Sequence, residues 1–137
     1  MKLYEPFASL PAIRTLVREH LHCNCPEAVF DDVRIGIPSL FGTHGVNGGL
    51  EILVGQRLLI TLVPLTDLPD PVASVTALLQ AGRTARDAHG LNRFRLVIVG
   101  SPDAATRCGL KKIAEKLEDK IHLHVLETDD FEKYFVP

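Results

Sequence analysis

The sequence predicts an α/β fold: a single three-layer-like domain over residues 1–137, with a mixed sheet of about five strands flanked by helices. The predicted element order is α-β-β-β-α-β-α-β. Three observations carry this expectation. Apolar residues recur at helical spacing in three separate stretches. In the second half of the chain such stretches alternate with short apolar runs, which implies strand–helix–strand units, parallel pairing and right-handed crossovers. Ahead of them, two strand-like runs are separated only by Gly55-Gln56, so antiparallel pairing joins the same sheet.

The first helix is expected over residues 10–22, where Ile13, Leu16, Val17, His20 and Leu21 fall on one face and Pro11 suits the first turn. Asn24 and Pro26 end it. Val33, Ile35 and Ile37 alternate, predicting a half-buried strand near 32–37. The stretch 38–49 holds four glycines and reads as an irregular loop, long enough to suggest a functional role.

Residues 50–54 and 57–63 form the hairpin, with Gly55 leading a type II′ turn. The second of these runs hardly alternates, which places it centrally with both faces covered. Asp70-Pro71 opens the second helix as N-cap and first helical residue. Its buried stripe is Val72, Val75, Leu78, Leu79, Gly82 and Ala85, and Gly90 follows as a left-handed cap. A strand over 94–99 comes next. Ser101-Pro102-Asp103 then caps a third helix with the stripe Leu110, Ile113, Ala114 and Leu117, in which Gly109 is a candidate break. Ile121, Leu123 and Val125 alternate with His122 and His124, predicting a strand with one wet face. An aromatic tail over 129–135 ends the chain.

Composition narrows the function classes. A net charge of -2 and a pI near 6.3 provide no global field toward nucleic acid or anionic lipid. Aromatics make up 6% and Trp is absent, which argues against base-stacking platforms. The most apolar run, 58–65, is too short to span a membrane and contains Thr61 and Pro64. Three cysteines make no disulfide framework, and the N-terminus does not read as a signal peptide. The expectation is a soluble, cytoplasmic protein with reduced thiols.

Chemistry concentrates in His20-Leu21-His22-Cys23-Asn24-Cys25, closed by Pro26. Thiolates and imidazoles are the donors that transition metals such as zinc prefer. His22, Cys23 and Cys25 leave the helix end together as candidate ligands, and His44 from the glycine loop is a candidate fourth. Two other readings of the same residues stand beside this one. They can form a thiol redox pair, although a helix C-terminus opposes a thiolate unless Arg18 or a distant cation compensates. They can also be a buried cysteine beside a helix-terminal histidine that favours the negative end of the dipole.

The remaining clusters read more plainly. His122 and His124 share a strand face as solvated histidines. Cys108 is a packing or surface thiol, and Asp103 a simple cap. Arg83, Arg86, Arg93 and Arg95 form a modest basic patch. No nucleophile elbow appears, and the adjacent Asp31 and Asp32 point to opposite faces of a strand.

The element order resembles the core of the restriction-endonuclease-like fold. That resemblance implies an acid on the second strand and an acid-x-Lys on the third, holding Mg²⁺ against a phosphate. Glu51 opens the second strand, but residues 58–63 carry neither acid nor lysine, so the resemblance is one of topology and implies no nuclease.

The leading functional expectation is an accessory protein that binds a metal or responds to redox state through the His/Cys cluster. The alternative is a non-catalytic module that binds a protein partner or a second copy of itself. That reading draws on Phe131, Tyr134, Phe135 and Val136 and on an uncovered sheet edge. A weaker third reading is an enzyme with the 42–49 loop as a lid over His44.

Overall fold

The computed structural model describes residues 3–36 and 49–136. Helices α1 (Tyr4–Phe7) and α2 (Leu10–Thr15) come first, and α2 runs on into a π-helical turn, Leu16–His20. A 3-10 turn, Glu27–Asp31, leads to β1 (Val33–Gly36). Then follow β2 (Leu50–Val54), β3 (Leu58–Pro64), α3 (Pro71–Ala88), β4 (Arg93–Val99), α4 (Ala104–Ala114), β5 (Ile121–Leu126) and α5 (Thr128–Phe135).

The five strands form one sheet in the order β1-β2-β3-β4-β5. β1, β2 and β3 pair antiparallel, while β3, β4 and β5 pair parallel. The mixed sheet expected from the hairpin and the two crossovers is therefore present. Two crossovers of one hand stepping in one direction put α3 and α4 on the same face.

Side-chain alternation divides the interior into two cores. On one face Leu59, Val63, Phe94, Leu96 and Ile98 pack against Val75, Leu79 and Leu110 of α3 and α4. On the other, Leu50, Ile52, Ile60, Leu62 and Val97 pack against Phe7, Ile13, Leu16 and Leu21, and against Phe131 and Phe135 of α5. β3 lies centrally and every residue of it is buried, which explains its unbroken apolar run.

Several local expectations are corrected. The hairpin turn has positive φ at both Gly55 (61°) and Gln56 (55°), as in type I′, whereas type II′ needs it only at the first. Val72 is 37% exposed and packs on Gly109, and α4 runs unbroken through that glycine. Glu51 is fully buried on β2, and Thr61 Oγ1 donates to its Oε2 at 3.2 Å. The tail is a helix whose Phe131 and Phe135 are buried against Phe7; only Tyr134 and Val136 of that group are exposed. The protein-contact reading thus loses two of its four residues to the core. Among the described residues no helix is long and apolar enough to cross a membrane.

Candidate functional site

The π turn at the end of the first helix sets up the site. Leu21 N–H donates to the Leu16 carbonyl at 2.9 Å, one residue wider than an α-helical bond. His22 then adopts a left-handed conformation, φ 53°, at the position after a helix where glycine or asparagine is usual. Cys23 N–H closes on the Val17 carbonyl at 2.9 Å. Arg18 Nη2 holds the next stretch, donating to the Cys25 carbonyl at 2.9 Å and pairing with Glu27. The chain from His22 to Pro26 is thereby laid across the amino ends of β3 and β4.

Beneath it lies a cavity of about 340 Å³. Its walls include Cys23, Cys25, Arg57, Asn92, Arg93 and Arg95, with Val29, Val54 and Leu58 as apolar surface. Two backbone bonds fix the arginine-bearing wall: Asn92 and Arg93 N–H both donate to the Arg57 carbonyl, at 2.9 and 3.0 Å. Arg93 and Arg95 alternate with Phe94, so both face the helix-α2 side of the sheet.

Arg95 is the most constrained of the three. It is 5% exposed. Its Nη1 donates to the Leu21 carbonyl at 3.0 Å and to His124 Nε2 at 2.8 Å, while Nε is buried with no partner. Cys23 lines the same cavity as the guanidinium. Burial lowers the Arg95 pKa from its usual value, against the opposing influence of Cys23. Among the described residues no carboxylate lies within ion-pair distance of Arg57, Arg93 or Arg95. Among the described residues the cavity is lined by three guanidinium groups and no acid.

Both cysteines line this cavity, and Cys25 Sγ lies 4.0 Å from the Cys23 carbonyl. Both are half-buried, and burial and the neighbouring Cys23 push the Cys25 thiol up. His22 is exposed at the rim, and His20 is half-buried against α5, its ring 5.0 Å from Tyr134 and 5.2 Å from Phe135. His44 and the glycine loop up to residue 48 lie outside the described residues. Among the described residues no group of three His, Cys, Asp or Glu side chains is placed to hold a metal ion.

The expected basic patch divides. Arg83 and Arg86 pair with Glu118 on the far side of the sheet, whereas Arg93 and Arg95 line the cavity. The face of β5 expected to be wet is half-covered, with His122 and His124 both of intermediate exposure. His124 lies beneath the N-terminal segment against Arg95, and burial with that charge lowers its pKa to about 4. Arg57 and Asn92 carry no signal in the sequence: Arg57 reads there as the first residue of the 57–63 strand, whereas β3 begins at Leu58, and Asn92 stands just before β4. The chain matches no family model, no curated protein and no solved structure.

Proposed function

We propose that the protein binds a small anionic molecule in the cavity at the amino ends of β3 and β4. The observation that carries this reading is Arg95: a buried guanidinium whose Nε is unused and which has no carboxylate beside it among the described residues. Guanidinium does not lose its proton in proteins, and an unpaired charge removed from water costs several kcal/mol. An oxyanion offers the missing counter-charge and suits the planar donor edge of arginine. Arg57, Arg93 and the Asn92 amide add donors, and Val29, Val54 and Leu58 accommodate a short apolar body. The ligand class is therefore a phosphate, sulfate or carboxylate group on a small organic frame. Three guanidinium groups around one cavity oppose a divalent cation, which turns the reading of His22, Cys23 and Cys25 away from a metal site.

Thermal unfolding in inorganic phosphate, sulfate or phenyl phosphate, each against chloride at equal ionic strength, tests the proposal. The expected result is a rise in Tm for the wild type that disappears in Arg57→Ala/Arg93→Ala, two positions outside the core. A shift of the same size in both proteins, or none in the wild type, overturns it.

A further inference from the structure

The three arginines of the cavity stand at different depths. Arg95 is buried, Arg93 half-buried and Arg57 exposed. Arg93 and Arg95 are alternate residues on one face of β4, so their side chains leave the strand about 6.5–7 Å apart. Arg57 belongs with Arg93 at the outer end: its carbonyl accepts from Arg93 N–H at 3.0 Å, and the next residue, Leu58, is the register partner of Arg93. One guanidinium thus stands at the inner end and two at the outer, in a cavity that Val29, Val54 and Leu58 also line.

From this gradation we infer that the ligand carries two anionic groups on a short apolar chain: a carboxylate held by Arg95, and a second group held by Arg57 and Arg93. The inference rests on the anion reading above and narrows it to a two-headed organic acid.

The inner end selects a carboxylate. Arg95 Nη1 is committed to the Leu21 carbonyl and His124 Nε2, and those two bonds fix the plane of the guanidinium. The side edge of the group, Nε with Nη2, presents parallel N–H donors, and Nε is buried without a partner. A planar carboxylate accepts from such an edge through both oxygens. Its single charge also equals that of Arg95. A phosphate near neutral pH carries a charge of about −1.5 to −2, and the excess would stand uncompensated inside the fold. No Asp or Glu of the chain fills the place. None pairs with Arg95 among the described residues, and residues 1, 2, 37–48 and 137 include neither type.

The outer end is wetter and holds two cations and the Asn92 amide, so it accommodates a carboxylate or a phosphate. Joining the two anionic groups makes the second contact intramolecular, and a molecule that reaches both ends binds far more tightly than either half. Extended glutarate and adipate approach the separation of the two ends. Malonate falls short of it, and acetate reaches one end alone.

Calorimetric titration with acetate, malonate, glutarate, adipate and 4-phosphonobutyrate at constant ionic strength tests the inference. Glutarate or adipate is expected to bind about ten-fold or more tighter than acetate and malonate. Tighter binding of 4-phosphonobutyrate than of glutarate, its dicarboxylate counterpart, assigns a phosphate to the outer end; the reverse order assigns a carboxylate. In Arg57→Ala/Arg93→Ala the preference for the longer diacids is expected to vanish, leaving adipate no tighter than acetate. Arg95→Lys keeps the buried charge and removes the side edge. With its fold checked by circular dichroism, it is expected to lose about ten-fold in glutarate affinity. An undiminished affinity in folded Arg95→Lys overturns the inner carboxylate, and a length preference that survives the double variant overturns the outer group. Diacids that bind no better than acetate, while inorganic phosphate still raises the wild-type Tm, overturn the two-headed ligand and leave the anion reading standing. Binding of neither phosphate nor any of these acids overturns both.

Discussion

Arg95 Nη1 stands 2.8 Å from His124 Nε2. Arginine can only donate, so that ring nitrogen accepts, and the imidazole is neutral with its proton on Nδ1. A proton on Nε2 would set two cations in contact inside the fold. Burial first, then Arg95, His122 and His22, hold the His124 pKa at about 4, against 6.5 for an unperturbed ring.

This makes stability depend on pH in a defined window. Between about 4 and 6.5 the unfolded chain binds a proton at His124 that the folded one refuses, so stability rises with pH there. Acidification through the same window removes on the order of 3 kcal/mol. His124→Gln keeps an acceptor for Arg95 and removes the titration. Urea unfolding at a series of pH values is expected to give a shallower slope for the variant between pH 6.5 and 4. Parallel curves would show that the stability change comes from other groups.

Gly82 of α3 sits directly over Phe94 of β4, and a Cβ there would overlap the aromatic ring. Phe94 is fully buried and cannot swing clear. Gly82→Ala is therefore expected to destabilise by about 1–3 kcal/mol or more, although alanine is the better helix former. Phe94→Leu in the same chain should recover part of the loss. Denaturant midpoints for the two single variants and the double variant check this; additive losses would mean that the two residues do not meet.

What the sequence discloses follows the same distinction between pattern and meeting point. The unbroken apolar run of β3, the Asp70-Pro71 start of α3 and the alternation of β5 are local signals, and the elements they predict are present. The cavity is not local. Arg57, Asn92 and Arg95 meet Cys23 and Cys25 only when the sheet closes, and no spacing along the chain encodes that approach. His124 illustrates the limit: alternation with Leu123 and Val125 marks a change of face, but only the placement of the N-terminal segment determines whether that face is wet. The signal that was available is Arg93-x-Arg95 on a strand, two cations on one face beside apolar neighbours, which merits a search for a counter-charge.

The C-terminal helix gives a contrast between adjacent positions. Phe131 and Phe135 are 5% and 6% exposed and pack on Phe7 at centroid distances of 5.9 and 4.7 Å. Tyr134 between them is 47% exposed. Phe131→Ala and Phe135→Ala are each expected to cost about 3–5 kcal/mol. Tyr134→Ala is expected to stay within about 1 kcal/mol, in the range usual for surface substitutions. Equal losses at 134 and 135 would mean that α5 docks by a different face.

Gly55 combines two constraints that a second glycine allows to be separated. Its φ is +61°, and a Cβ built on it would stand 2.6 Å from Val29 Cβ in the turn that walls the cavity. Gly90 has nearly the same φ, +65°, with nothing within 4 Å of a built Cβ. Gly90→Ala therefore reports the left-handed backbone alone, expected at about 1–2 kcal/mol. Gly55→Ala adds the collision, worth about a further 1–3 kcal/mol, and displaces Val29. Val29→Ala in the Gly55→Ala chain relieves the collision and leaves the backbone strain. The double variant should therefore recover part of the excess, and Gly90→Ala should gain nothing from the same change. Urea midpoints for the set decide it: equal losses for Gly55→Ala and Gly90→Ala would mean that the hairpin does not press on the turn, and that Val29 is held in the cavity wall by other contacts.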